Sequence, residues 1–111
     1  MTRSKYHNRR TVVDGIAFDS KHEADVYCRL LLYKKSNLIS GDIERQVPFE
    51  LQESFEFNGK KIRPIKYIAD FVFTDCDGIR HVVDAKGMKT DVYKLKKKLF
   101  EYRYRIRIEE W

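Results

Sequence analysis

Apolar and polar positions along this chain follow two periods. Short stretches of period two flank Asp14-Gly15, Asn58-Gly59 and Asp77-Gly78, dipeptides that favour tight turns between antiparallel strands. Thr11–Val13 and Ile16–Phe18 therefore read as a short hairpin. Phe55–Phe57 with 61–62 reads as a second, and 65–74 with 79–85 as two longer strands. In 43–51, Ile43, Val47, Phe49 and Leu51 share one parity while Glu44, Gln46 and Glu50 share the other, the pattern of a strand with one apolar face. Pro48 favours an edge position or a bulge in that strand.

Helical spacing occurs twice. Ser20 and Glu23 form a capping-box pattern, followed by Ala24, Tyr27, Leu30 or Leu31, and Leu38, which predicts a helix from Ser20 to about residue 36. Gly41 then reads as a residue just past its end. A second helix is predicted from Thr90, with Val92, Leu95, Leu99 and Tyr102 as its apolar stripe and Thr90 as N-cap. Arg103, Arg105 and Arg107 alternate with Tyr104, Ile106 and Ile108, which predicts a last strand over 104–108. The order is hairpin, helix, strands, helix, strand, so the expected fold is α/β (α+β) with a mixed sheet flanked by helices.

The length of 111 residues fits a single domain, 1–111, and the 42% of hydrophobic residues is enough for a packed core. The 23 basic and 17 acidic residues leave a net charge of +6, which points to a polyanion such as nucleic acid. The excess is local. Arg3, Lys5, Arg9 and Arg10 form an arm without an acid, and six lysines in 86–98 face only Asp91. Cys28 and Cys76 are too few for a disulfide framework and lack zinc spacing, so both are expected to be free thiols in a reducing compartment. The first residues contain no apolar run of the signal-peptide kind, and no stretch reaches the length of a membrane span. These features predict a cytoplasmic protein. Phosphate-binding glycine loops and Ser/His/Asp patterns are missing, which argues against nucleotide-cofactor chemistry. His7, His22 and His81 show no ligand spacing, and Asp75 and Asp77 read as turn residues.

Three acids stand out. Asp70 interrupts the apolar strand Tyr67-Ile68-Ala69-Asp70-Phe71-Val72-Phe73, where an ionised carboxylate is costly unless paired or bound to a cation. Asp84 and Lys86 follow Val82-Val83 and share one strand face. With the turn centred on Asp77-Gly78, Asp84 falls opposite a position near 70–72, so two carboxylates and a lysine would converge at one end of a sheet. Two carboxylates that close repel unless a cation lies between them, and oxygen ligands favour Mg²⁺ or Mn²⁺. The bland reading is a cross-strand ion pair. Glu23 is explained by capping alone, or it adds a third acid from the first helix. Gln46, on the polar parity of its strand, is an accessory candidate.

Glu23, Asp70, Asp84 and Lys86, in this order of helix, strand and strand before a basic helix, resemble the PD-(D/E)XK nuclease superfamily. Ala69 stands where the motif has proline, and Asp84 fills the Asp-or-Glu position. The chain looks closer still to small phage-encoded endonucleases related to Holliday-junction resolvases. That likeness rests on Asn8-Arg9-Arg10, the run from Asp14 to Ala24, Ile43-Glu44-Arg45-Gln46-Val47-Pro48-Phe49, Tyr67-Ile68-Ala69-Asp70-Phe71 and Val83-Asp84-Ala85-Lys86-Gly87. The resemblance implies a restriction-endonuclease-like core of α-β-β-β-α-β order and Mg²⁺-dependent cleavage of DNA, with Mn²⁺ able to substitute. Asp70, Asp84 and the Ala85 carbonyl would hold the ion, and Glu23 would complete its site. Lys86 would act on the attacking water or on charge at phosphorus. Arg9, Arg10, Lys89, Lys94, Lys97 and Lys98 would grip the DNA backbone. Branched DNA would be the substrate, and two nicks in a two-fold junction imply a C2 homodimer. A nuclease of the same fold acting on other DNA and a non-catalytic DNA-binding protein are the alternatives.

Overall fold

A computed structural model describes residues 10–85 and 89–111. Expectations that fall on Arg3, Lys5, His7, Arg9, Lys86 and Gly87 therefore lie outside the described residues.

The chain opens with the hairpin β1 (Thr11–Val13) and β2 (Ile16–Phe18), paired Val13↔Ile16 across the turn. Asp14 and Gly15 both have positive φ, 53° and 78°, as a two-residue turn matched to strand twist requires. Helix α1 (Lys21–Lys35) follows, with the Ser20 hydroxyl accepting from the Glu23 amide at 3.1 Å. Then come β3 (Ile39–Gln52), a small hairpin of β4 (Phe55–Phe57) and β5 (Lys60–Ile62), and β6 (Ile65–Asp75) and β7 (Arg80–Asp84). Helix α2 (Asp91–Tyr104), capped by the Thr90 side chain on the Tyr93 amide, leads to β8 (Ile108–Glu110).

The main sheet has the order β3-β6-β7-β8, antiparallel except for the parallel β7/β8 pair that α2 connects. Apart from the two small hairpins, the chain runs α1, β3, β6, β7, α2, β8. The protein is thus a mixed α+β fold, and its main elements follow the expected order. β3 lies at the sheet edge, which suits the missing amide of Pro48.

The sheet buries both faces. Ala24, Val26, Tyr27 and Leu30 of α1 pack with Phe18, Phe71, Phe73 and Val83. Tyr93 and Phe100 of α2 pack with Phe49, Tyr67, Ala69, Val72, Val82 and Ile108. The apolar parity of β3 does not keep to one face: Ile43 joins the α1 side, whereas Val47 and Leu51 join the α2 side. β6 makes the same switch, with Ala69 on the α2 side and Phe71 on the α1 side. Both strands change face where Gln46 and Asp70 stand.

Three sequence expectations are corrected. The stripe of Val92, Leu95, Leu99 and Tyr102 is exposed, at 62%, 58%, 38% and 72%. The sheet instead takes the side carrying Tyr93, Phe100 and Tyr104, three rings against the single ring of the exposed stripe. Residues 104–107 are not strand: α2 continues to Tyr104, Arg105 ends it at φ 58°, and β8 starts at Ile108. Gly41 is not a helix terminator. The chain leaves α1 through Ser36 and Asn37, and Gly41, at φ 78°, lies in the β3 bulge between Ser40 and Glu44.

Candidate active site

Register brings the singled-out acids together. Arg45↔Phe71 and Val47↔Ala69 are paired, which sets Gln46 across from Asp70. Phe71↔Val83 and Val72↔Val82 are paired, and one further step in that register sets Asp70 across from Asp84. Asp84 is paired with Glu110. Gln46, Asp70, Asp84 and Glu110 therefore form one row across all four strands, with neighbours about 5 Å apart.

Asp70 and Asp84 are the two buried charged residues among those described, 6% and 1% exposed. Asp70 Oδ2 accepts from the Ala85 amide at 2.8 Å, and Oδ1 accepts from Gln46 Nε2 at 3.3 Å. The same Gln46 nitrogen donates to Glu23 Oε2 at 3.2 Å. Glu23 is therefore turned from the first turn of α1 toward the sheet, and Gln46 ties it to Asp70. Gln46 does this from a left-handed backbone, φ 51°, which a residue with a Cβ adopts at a cost of roughly 1–2 kcal/mol. That cost accompanies the face switch of β3, which aims the amide at both acids.

Asp84 faces the α2 side. Its Oδ2 accepts from Tyr67 Oη at 2.8 Å, and its backbone carbonyl accepts from the Trp111 amide at 3.0 Å. Burial, followed by the charge of Asp84 and the hydrogen bond to it, pushes the Tyr67 phenol far above its ordinary pKa, so Tyr67 stays a donor. On the same side Tyr93 Oη donates to Glu110 Oε2 at 2.8 Å. Burial and this bond likewise raise the Tyr93 phenol.

The donor set suits a hard divalent cation: carboxylate oxygens of Asp70 and Asp84, the neighbouring Ala85 carbonyl, and Glu23 one hydrogen-bonded link away. Among the described residues no three Asp, Glu, His or Cys side chains stand close enough to ligate one ion. Mg²⁺ does not require three, since it is commonly held by one or two carboxylates with water and substrate phosphate completing the shell.

Lys89, Lys94, Lys97 and Lys98, expected to contact DNA, line one groove of about 540 Å³ along α2 with Tyr93, Tyr102 and Arg105. Arg10 is exposed just ahead of β1. Three residues escaped the sequence reading: Tyr67, Tyr93 and Glu110. A signal existed for Tyr67, a phenol three residues before Asp70 in an otherwise apolar strand. Glu110 lay beyond the predicted end of the last strand. His81, read from sequence only as lacking ligand spacing, lies between Asp75 and Glu109, bonded to both. Asp75, expected in the turn, is the last residue of β6, and its side chain accepts from the Asp77 and Ile79 amides of the turn at 2.8 and 3.0 Å. Cys28 and Cys76 are free and exposed. Among the described residues no helix is long and apolar enough to cross a membrane.

Residues 3–111 match a family whose description is a protein of unknown function. No curated protein and no solved structure matches the chain.

Proposed function

The chain belongs to the DUF1064 family, and we propose that it is a metal-dependent DNA endonuclease with a restriction-endonuclease-like core, acting on branched DNA. One observation carries this reading: Asp70, in the middle of β6, and Asp84, at the end of β7, are buried and adjacent in register beside a groove of lysines. Burying two carboxylates together is costly unless positive charge accompanies them. Beside DNA, a hard cation at that point is a catalytic device. The element order α1, β3, β6, β7, α2, β8 supports the nuclease core, and the sequence resemblance supports branched DNA.

In this reading Asp70, Asp84 and the Ala85 carbonyl hold Mg²⁺, or Mn²⁺ in its place, and Glu23 completes the site. The bound ion would lower the pKa of water and offset charge developing on the phosphoryl oxygens. The chain's own residues do the rest. Gln46 keeps Glu23 and Asp70 oriented toward each other, and Tyr67 holds the Asp84 carboxylate in place. Lys86 retains the role the resemblance gives it, next to the water or the phosphorus. Lys89, Lys94, Lys97 and Lys98 attract and position the backbone, which makes binding salt-dependent and only weakly sequence-specific.

A C2 homodimer would supply two such sites to a two-fold junction. The exposed α2 stripe supports it. Val92, Leu95, Leu99 and Tyr102 recur at the spacing of a helix–helix seam. In an antiparallel pairing of two α2 helices, Asp91 would meet Arg103 of the partner subunit.

The test is incubation of purified protein with four-way, flapped and linear DNA, in Mg²⁺ or in EDTA, beside Asp70→Asn and Lys86→Ala. Mg²⁺-dependent nicking of the junction that both variants lose is expected. Absence of any Mg²⁺-dependent cutting overturns the enzyme, and equal cutting of linear duplex overturns the preference for branches.

A further inference from the structure

Glu110 occupies a place that its strand does not explain. It is the β8 member of the polar row, paired with Asp84. Its carboxylate accepts from Tyr93 Oη at 2.8 Å and is ion-paired with Lys89 Nζ at 2.9 Å and Lys97 Nζ at 3.3 Å. Tyr93 and Lys97 are one helical turn apart on α2, so they present two donors on the same side. Lys89 adds a third from just before the helix. The Lys89 bond, then the Tyr93 bond, hold the Glu110 carboxyl down to about 2, so it remains an anion at any working pH.

Three donors on one carboxylate exceed what β8 needs for attachment. β8 is already paired with β7 over Val82↔Ile108, Val83↔Glu109 and Asp84↔Glu110, and the Ile108 amide donates to Glu101 Oε2 at 3.0 Å. Two ammonium groups and a phenol converging on one anion also match the oxygens of a phosphate, for which lysine is a natural point-charge ligand. The surrounding groove adds Lys94, Lys98 and Arg105, so a chain of phosphates entering it meets further cations on both helix turns. The site also lies one strand, about 5 Å, from Asp84.

We propose that Lys89, Tyr93 and Lys97 form a subsite for a backbone phosphate of nucleic acid, and that Glu110 is a built-in competitor which that phosphate displaces. The inference rests on the DNA-cleaving reading and deepens it: it assigns the phosphate next to the scissile one to a defined pocket. Glu110 then acts as an internal brake. Non-specific polyanions must displace a tethered carboxylate before their backbone comes within reach of Asp70 and Asp84. A free phosphate would use the same chemistry, so the experiment separates the two sources.

The measurement is equilibrium binding of a labelled four-way junction in EDTA, where no cutting intervenes, over a range of salt concentrations. Glu110→Gln is expected to tighten binding about three- to ten-fold and to steepen the salt dependence by about one released counterion. Lys97→Ala is expected to weaken binding by a similar factor and reduce the salt slope by about one. Equal or weaker binding by a folded Glu110→Gln overturns the proposal. So does unchanged binding by Lys97→Ala beside a weakened Lys94→Ala, a comparison that holds even if Glu110→Gln fails to fold. Inorganic phosphate or pyrophosphate that binds Glu110→Gln better than the unaltered chain, while DNA does not, overturns the backbone assignment. Cutting is assayed separately. If Glu110→Gln binds more tightly but neither protein cuts, the nuclease reading fails and the subsite stands. If cutting is intact and Glu110 has no effect, the subsite fails alone.

Discussion

Tyr67 donates its phenol proton to the Asp84 carboxylate at 2.8 Å, joining two neighbouring strands through a buried side-chain bond. Tyr67 brings that proton from the apolar cluster it shares with Tyr93 and Phe100. Tyr67→Phe keeps the ring and removes only the proton. The expected cost is about 1.5–3 kcal/mol of stability, the range for a hydrogen bond to a charged group. Urea unfolding at neutral pH measures it, and a loss below the error of the method would mean that Asp84 does not depend on Tyr67.

Mg²⁺ should raise the melting temperature if Asp70 and Asp84 hold it. A ligand at 100 times its Kd adds about 2.7 kcal/mol to stability when it binds only the folded chain. For a domain of this size each kcal/mol corresponds to about 4–8 °C. EDTA should reverse the shift, and Asp70→Asn or Asp84→Asn should abolish it without reference to any nuclease assay. An equal shift in both variants would place the ion elsewhere.

Gln46 should show that its side chain is kept at the expense of its backbone. At φ 51° glycine is accommodated freely, whereas alanine is not, so Gln46→Gly is expected to be more stable than Gln46→Ala by about 1 kcal/mol. Both lose the amide that links Glu23 to Asp70 and should lose the Mg²⁺-dependent melting shift in part. A full shift in Gln46→Gly would reduce Gln46 to a feature of the face switch in β3.

Much of this was legible in local chemistry. Ser20, Thr90 and the Asp14-Gly15 and Asn58-Gly59 turns announce their elements because caps and two-residue turns depend only on near neighbours. The proximity of Asp70 and Asp84 follows from one well-defined turn at Asp77-Gly78, since register propagates along a hairpin. What stayed hidden depends on distant partners. Both sides of α2 carry apolar residues at helical spacing, and only the sheet decides that Tyr93 and Phe100 go inward. The face switch at Gln46 cannot be read from parity, because parity assumes an unbroken strand. Glu110 gains its meaning only when β8 is laid beside Asp84.

His81 gives a pH dependence whose sign can be worked out. Its Nε2 is 2.7 Å from Asp75 Oδ2, its Nδ1 meets Glu109 Oε2, and Phe73 stacks on the ring at 4.7 Å. Carboxylates only accept, so both ring nitrogens must donate, and the imidazolium is the form that fits. Burial opposes that charge, but the bonds to Asp75 and Glu109 outweigh it and raise the pKa. The bond to His81, then that to the Ile79 amide, lower Asp75. The raised histidine contributes stability that is complete below its unfolded pKa of about 6.5 and is lost as pH rises through the folded value. The lowered Asp75 contributes stability that is complete above about 3.9 and is lost as pH falls through its folded value. The clamp between β8 and the β6–β7 turn is therefore strongest between those limits. The urea midpoint should fall from pH 6 to pH 9 more steeply in the unaltered chain than in His81→Gln. Parallel profiles would mean that the histidine titrates alike in the folded and unfolded chains.

The two sides of α2 should respond oppositely to substitution. Phe100 is fully buried and in ring contact with Phe49, Tyr67 and Tyr104. Phe100→Ala is thus expected to cost about 3–5 kcal/mol, the range for a large ring removed from a packed core. Leu95 is 58% exposed, so in a monomer Leu95→Lys should change stability by no more than about 0.5 kcal/mol. If the stripe is the seam of a homodimer, the same substitution places a lysine against the two-fold axis near Lys96 and Lys98 of both copies and should drive dissociation. Sedimentation of the unaltered protein and of Leu95→Lys over a micromolar concentration range separates the two cases. A dimer that becomes a folded monomer on substitution assigns the seam to α2. A dimer that survives it places the interface on another surface, and a monomer in both cases removes the homodimer from the proposed mechanism.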